Sequence, residues 1–580
     1  MHRTEGSARD PPRATIEGRE AFAMNSIEPI RVHNESLASI LLPSGREGRS
    51  AMTKVICTLG PNSREVKVLE ALLEAGMTAA RFDFSWGSKK YHQETLDNLR
   101  EACRNKRKLC GVIMDTKGPE IAVLNVRNPI TLTEGQSIRI SSDPGVHASS
   151  DVLPVNFPDI GKYLQKGNQI FVGQYLFTGS ETTSTYLTVQ EVTSDRECLC
   201  ICHNDARLEG VMLTVHISGV TNPIPTFSED DVEDIMTWGK KNEIDFLSIS
   251  FCRCAKDVMY ARQLLDESGL KGTEILSKIE NKHGLLNFEE ILEHSYGLII
   301  SRGNLGIDLP AEKMFLTQKL LLAKCNMLSK AAIITRVVNT MTDAPRPTRA
   351  EATDVANAVL DGADAIMLGA ETLRGKFPVE SVNVVLSICK EAENAYNHSS
   401  HYKKLMSALG GYSDRILLSQ VESLASSAVR AADKTQADLI ICFTQSGTSA
   451  RMIAKYRPPV PILTIVIPTL VSDKIKWRFT GGAVARQSLL HRGVVPVLGE
   501  PLMGPQKSNL DDYLLEFAVS KAKEFNLAKD GNYAVVTQRI GGSDVLKIVL
   551  IDEIDTSHSD RVLKNQRTGS QAALDKLVGA

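Results

Sequence analysis

Ile275-Leu276-Ser277-Lys278-Ile279-Glu280-Asn281 is a short apolar run that ends in alternating charge. As a strand it places Lys278 and Glu280 on one side. Working outward, the same pattern recurs at Val55-Ile56-Cys57, Ala79-Ala80-Arg81-Phe82, Val112-Ile113-Met114 and Phe246-Leu247-Ser248-Ile249, and again at Leu298-Ile299-Ile300, Ile333-Ile334-Thr335 and Ala365-Ile366-Met367-Leu368. Longer helical patterns separate these runs, the mark of parallel β/α units. Eight such strands close a (β/α)8 barrel, so the expected class is α/β. The runs end in Thr58-Leu59-Gly60-Pro61, Asp83-Phe84-Ser85, Asp115-Thr116-Lys117-Gly118, Lys278-Ile279-Glu280-Asn281, Ser301-Arg302-Gly303-Asn304, Thr335-Arg336 and Gly369-Ala370-Glu371-Thr372. Active sites of such barrels lie at the carboxyl ends of the strands, where these polar residues fall.

Two other textures flank this pattern. Residues 121–221 interrupt the barrel with period-two runs such as Ser137-Ile138-Arg139-Ile140 and Leu199-Cys200-Ile201-Cys202, which predict a small inserted antiparallel β-barrel, placed as a lid. Residues 401–555 carry a helix over Glu422–Thr435 and apolar strands at Leu439, Ile462, Val494, Tyr533 and Ile548, an open parallel α/β domain. The barrel is then assigned to 51–120 and 222–400, a mobile extension to 1–50 and a polar tail to 556–580.

Of the 580 residues, 67 are Lys or Arg and 69 Asp or Glu, a net charge of −2. That balance argues against a nucleic-acid or anionic-membrane partner. No apolar run approaches the ~20 residues of a membrane span. The N-terminus lacks the apolar segment of a signal peptide, and its arginines alternate with acids, unlike a transit peptide. The 11 cysteines show no paired metal spacing and fit reduced thiols of a cytoplasmic protein. Cys198, Cys200 and Cys202 fall on one strand face, read as apolar packing rather than a zinc site.

The chemistry concentrates at four strand ends. Lys278 and Glu280 form either a salt bridge or a working pair, the carboxylate on a hard divalent cation and the ammonium on a phosphoryl group in transfer. Ser301 to Gly306 is glycine-rich backbone before a helix, an anion site by its free N–H groups. Asp115, Thr116 and Ser85 offer hard oxygens to a cation. Thr348 and Glu351 read as a capping box at a helix start.

In combination these motifs resemble the pyruvate kinase family, in its plant-type cytosolic branch. The resemblance rests on Lys278-Ile279-Glu280-Asn281, on Asp115-Thr116-Lys117-Gly118-Pro119-Glu120, on Pro345 to Gly362 (PRPTRAEATDVANAVLDG), on Arg81 to Trp86 and on Val172 to Glu181, and spans about Thr53 to Glu553. It implies phosphoryl transfer from phosphoenolpyruvate to ADP, with Mg2+ (or Mn2+) and K+, in the cytoplasm, by a homotetramer. It implies that Lys278 stabilises the phosphoryl group and that Glu280 and Asn304 hold Mg2+. Asp83, Ser85, Asp115 and Thr116 would hold K+, with Glu120 in the form of K+-dependent members. Arg81 would contact phosphate, Arg81 and Trp86 the nucleotide, Gly303 the substrate carboxylate, and Thr335 would route the proton that makes pyruvate. Thr444, Ser446, Gly447 and Ser449 match an effector loop, alternatively a plain helix cap, and Thr448 in place of an arginine argues against strong fructose-bisphosphate activation.

The chain departs from the commonest family pattern at Asp83, Trp86, Ala122, Asn304 and Gly369-Ala370. Asn304 replaces an aspartate, which removes a negative charge from the metal site. Ala122 replaces a phosphate-binding arginine. These two motivate an alternative, a weakly active or non-catalytic paralogue that binds phospho-metabolites as a regulatory subunit. A barrel lyase is a third reading, which the lid argues against. His283 reads as a solvated loop residue, Trp238 as core, and Cys252 and Cys254 as strand packing.

Overall fold

The computed structural model describes residues 50–174, 183–210, 212–220, 223–410, 418–473, 476–499, 510–540 and 543–551. The expected mobile extension as far as residue 49, the expected polar tail 556–580 and residues 175–181 of the family-like segment lie outside the described residues.

Eight strands, β1 (Lys54–Thr58), β2 (Met77–Asp83), β3 (Gly111–Asp115), β4 (Phe246–Ile249), β5 (Glu274–Ile279), β6 (Gly297–Ile300), β7 (Ala331–Thr335) and β8 (Ala365–Leu368), form a closed parallel barrel in chain order. Each contains the apolar run expected for it. Alternation along the strands divides the burial. Ile56, Ala79, Ile113, Leu276, Ile299, Ile333 and Met367 fill the interior, while neighbours such as Val55, Cys57 and Ile275 pack beneath the helices. Val66–Ala75 shows how a helix is cut to fit: it buries Leu69, Leu72 and Leu73 and stops at Gly76, φ 119°. A Cβ at Gly76 would stand 2.6 Å from Leu386 Cδ1, so the turn requires glycine twice over.

Between β3 and β4 the chain builds a six-stranded sheet and a two-stranded ribbon, Ile130–Leu132 with Ala206–Leu208, around one apolar core. Cys198, Cys200 and Cys202 lie together on the buried face of strand Glu197–Cys202, as apolar packing. Trp238 is buried against Phe82 and Phe84, ring centroids 5.5 and 5.0 Å away.

After the barrel, helix Gln420–Thr435 leads into a five-stranded sheet ordered Val494–Leu498, Ile462–Val466, Leu439–Thr444, Tyr533–Ile540, Ser543–Leu550. The expectation of a wholly parallel sheet is corrected at its last pair, which is antiparallel. Only Gly541 and Gly542 separate those strands, too short a link for a parallel crossover. This region closes the amino-terminal end of the barrel. Leu490 joins the interior cluster, His491 bonds the Tyr296 hydroxyl at 2.9 Å, and Arg486 pairs with Asp245 at 2.9 Å. The polar strand ends open at the opposite mouth. Among the described residues no helix is long and apolar enough to cross a membrane.

Candidate active site

At the end of β5 the period of the strand brings Lys278 and Glu280 to one side, Nζ 3.6 Å from Oε1. Lys278 Nζ also lies 3.1 Å from Asp115 Oδ2 and donates to Ser250 Oγ at 3.1 Å. Burial opposes the lysine's charge, but Asp115 and Glu280 outweigh it and raise its pKa above the ordinary value. The ammonium is thus kept charged inside the protein. Glu280 is held by the Phe251 N–H at 2.8 Å and by Asn304 Nδ2 at 3.3 Å.

The ends of β2 and β3 supply the second cluster. Their register pairs Asp83 with Asp115. Arg81 donates from Nε to Asp115 Oδ2 at 2.7 Å and contacts Asp83 Oδ2 at 3.0 Å. Burial pushes the Asp115 carboxyl up, but Arg81 and Lys278 more than offset it and hold it below the usual range. The Ser85 N–H bonds Asp83 Oδ1 at 3.1 Å, and Thr116 Oγ1 accepts from the Ser250 N–H at 3.0 Å.

The opposite wall begins where β6 turns into helix Arg302–Asp308, which carries Gly303 and Asn304. Arg302 anchors that turn, with Nε on the Thr335 carbonyl at 2.9 Å and its two terminal nitrogens on Asp354 at 2.8 and 2.6 Å. Thr335 at the end of β7 donates to the Ile300 carbonyl at 3.3 Å. Gly303 admits the Arg336 side chain, since a Cβ there would meet Nε at 2.3 Å.

Arg81, Ser85, Lys278, Glu280, Asn304 and Thr335 therefore line one cleft of about 690 Å³, with Glu120 and Thr214 on the side of the insertion. Asp83, Asp115 and Thr116 stand beneath it, wholly buried. Carboxylates crowd the cleft and its floor. The Glu120 carboxyl is pushed up to about 8 by burial and then by Glu280, and Asp115 Oδ1 is buried with no hydrogen-bond partner. Both features suit added cations. Among the described residues no three His, Cys, Asp or Glu side chains converge as a ready-made cage.

Other expected residues fall elsewhere. Trp86 is not among the cleft-lining residues; its ring packs on Tyr91, 5.2 Å between centroids. Thr444, Ser446, Gly447 and Ser449 lie in the C-terminal sheet region, where Gly447 opens helix Thr448–Lys455 and its N–H bonds Thr444 Oγ1 at 2.9 Å. Ala122 gives its N–H to Asn156 Oδ1 at 2.8 Å and bridges Thr214. Ser250 and Thr214 line the cleft without a role expected from sequence, and Arg336, one of the polar strand ends, lines it too. Ser250 directly follows the β4 run, so the strand-end rule reaches it. Thr214 carried no such signal, because the fold of the insertion brings it there.

The chain matches the pyruvate kinase barrel domain over residues 50–382 and the pyruvate kinase alpha/beta domain over 422–549. The chain belongs to the pyruvate kinase family. It is 50% identical to pyruvate kinase 2, cytosolic, of Oryza sativa over 91% of this chain and 98% of that one. It is 40% identical to the cytosolic isozyme of Solanum tuberosum, over 89% and 99%. Among solved structures, Cryptosporidium parvum pyruvate kinase in complex with ADP superposes with a TM-score of 0.76 at 31% identity, covering 88% of this chain and 98% of that one. Pyruvate kinases are phosphotransferases of glycolysis and depend on metal, and the closed barrel and C-terminal α/β region are those of the family.

Proposed function

We propose that this cleft transfers the phosphoryl group of phosphoenolpyruvate to ADP, giving pyruvate and ATP, with the side chains above in the following roles. Lys278 faces the phosphoryl group as its bond to the enol oxygen breaks and its bond to an ADP oxygen forms, and its fixed positive charge stabilises the equatorial oxygens in flight. Arg81, held by Asp115 and Asp83, orients phosphate from the other side. Gly303 presents a backbone N–H to the substrate carboxylate. The enolate left behind takes a proton by a relay beside Thr335. Glu280 and Asn304 suit Mg2+ or Mn2+, and Asp83, Ser85, Asp115 and Thr116 suit K+; bound there, the ions would neutralise phosphate charge.

The observation that carries this reading is the Lys278 ammonium held 3.6 Å from Glu280 and 3.1 Å from Asp115 in an open cleft. A lactate dehydrogenase-coupled assay tests it. Wild type turns over, and Lys278→Met loses at least about 10³-fold in kcat with its circular dichroism unchanged. A wild type without turnover sinks the assignment. Nothing in the geometry favours the non-catalytic alternative, since neither Ala122 nor Asn304 disturbs the Lys278–Glu280–Asp115 arrangement.

The remaining roles belong to the same reading. Nucleotide contact at Trp86 and effector binding at Thr444 to Ser449 are proposals that rest on the family pattern. Division into a barrel over 51–120 and 222–400, a lid over 121–221 and a C-terminal domain over 401–555 is a proposal that rests on the change of strand texture along the chain. Self-association to a tetramer is supported by the exposed Phe315, Leu316 and Leu320 on helix Met314–Met327, an apolar face that water disfavours. A cytoplasmic site is supported by the cytosolic relatives.

A further inference from the structure

Asp308 ends the helix that carries Gly303 and Asn304, and it is nearly buried, with 7% of its side chain exposed. Its carboxylate is engaged from three directions. The lid residue His216 donates from Nε2 to Oδ1 at 2.9 Å. The Lys282 N–H, two residues beyond Glu280, donates to Oδ2 at 3.0 Å. Burial pushes the carboxyl up, but His216, Lys282 and the Gly219 backbone, on the return path from the lid, hold it below the usual range.

These contacts join the lid to the metal-site elements. His216 and Thr214 are two apart on strand Leu213–Ile217 and so share a face, and Thr214 lines the catalytic cleft. Asn304 precedes Asp308 by one helical turn. His216 and Asp308 border a second hollow of about 900 Å³ between lid and barrel, next to Asn304 and Glu120. A charge-assisted bond across such a joint is stronger than a neutral one, and it is lost whenever the lid swings away.

We propose that Asp308 is a positioning residue, a clamp that holds the lid strand Leu213–Ile217 on the barrel and, by the same contacts, sets the helix bearing Asn304 and the loop after Glu280. This rests on the assignment of the cleft as the phosphoryl-transfer site. Water is excluded and the Glu280–Asn304 pair is oriented when His216, Gly219 and Lys282 converge on the one carboxylate.

Amide hydrogen exchange on the full chain without substrate tests the clamp independently of turnover. The variants are Asp308→Ala, His216→Ala, their double mutant, and His216→Gln, whose amide can still donate. Asp308→Ala and His216→Ala are expected to raise exchange of Leu213–Ile217 about tenfold, the size of one charge-assisted hydrogen bond, with β1–β8 unchanged. His216→Gln is expected to stay near wild type, and the double mutant to match Asp308→Ala. In the coupled assay kcat is expected to fall about tenfold in the two alanine variants and to recover in His216→Gln. Unchanged lid exchange in His216→Ala, a rise spread over the whole barrel, or effects that multiply in the double mutant would overturn the clamp. If Asp308→Ala does not fold, the two His216 variants decide by the same criteria. A wild type without turnover would overturn the kinase reading alone, since the exchange result stands apart from it.

Discussion

Asp115 is where the charges of the cleft meet. One oxygen takes both Arg81 and Lys278, and the other has no hydrogen-bond partner. Two cations sharing one carboxylate oxygen are stable in the interior because Asp83 and Glu280 stand beside them. The same reasoning applies at Asn304, whose amide meets Glu280 Oε1 at 3.3 Å. A neutral amide beside that carboxylate costs nothing in repulsion but would lend a bound cation no charge. Asn304→Asp adds the charge, and Mn2+ is expected to bind about tenfold tighter by titration, with the metal-free protein less stable. An unchanged affinity would mean that residue 304 does not face the metal.

At the scale of elements, Arg302 ties three together: its own helix, the end of β7 and helix Arg349–Asp361, which begins at the Thr348–Glu351 capping box. The two parallel bonds to Asp354 need a planar guanidinium. Arg302→Lys keeps the charge and loses the fork, so Gly303 and Thr335 lose their common support. The expected result is a kcat/KM for phosphoenolpyruvate lowered about tenfold, with KM for ADP little changed. Equal loss for both substrates would assign Arg302 to general stability instead. The lid strand Leu213–Ile217 is the other element that matters, because Thr214 and His216 reach the barrel from outside its sequence neighbourhood.

At the scale of the whole molecule, the C-terminal sheet region seals the barrel end opposite the cleft, with His491 buried in the seam. Burial, then Arg451 and Lys54, lower its pKa from 6.5 to about 3. The folded protein therefore keeps it neutral, while the unfolded chain takes up a proton below about 6.5. Stability from the neutral ring is full above pH 6.5 and is lost as pH falls from 6.5 towards 3, at about 1.4 kcal/mol per pH unit. The thermal midpoint is expected to drop from pH 7 to pH 5 more steeply in wild type than in His491→Gln; equal slopes would show that the seam does not govern acid stability. His401, also lowered to about 3 by burial, titrates in the same window and keeps the variant's slope from vanishing. Eight strands, their order and the charged groups at their ends were legible in the chain, because strand periodicity and apolar runs act locally; Lys278 and Glu280 follow from that pattern, Arg81 and Thr335 from the family resemblance, and all four line one cleft. Thr214, His216 and Asp308 were not, nor was the antiparallel last strand of the C-terminal sheet. Which atom of the insertion meets which barrel carboxylate depends on how the inserted sheet lies across the barrel mouth, and that contact joins residues 92 apart with no shared period.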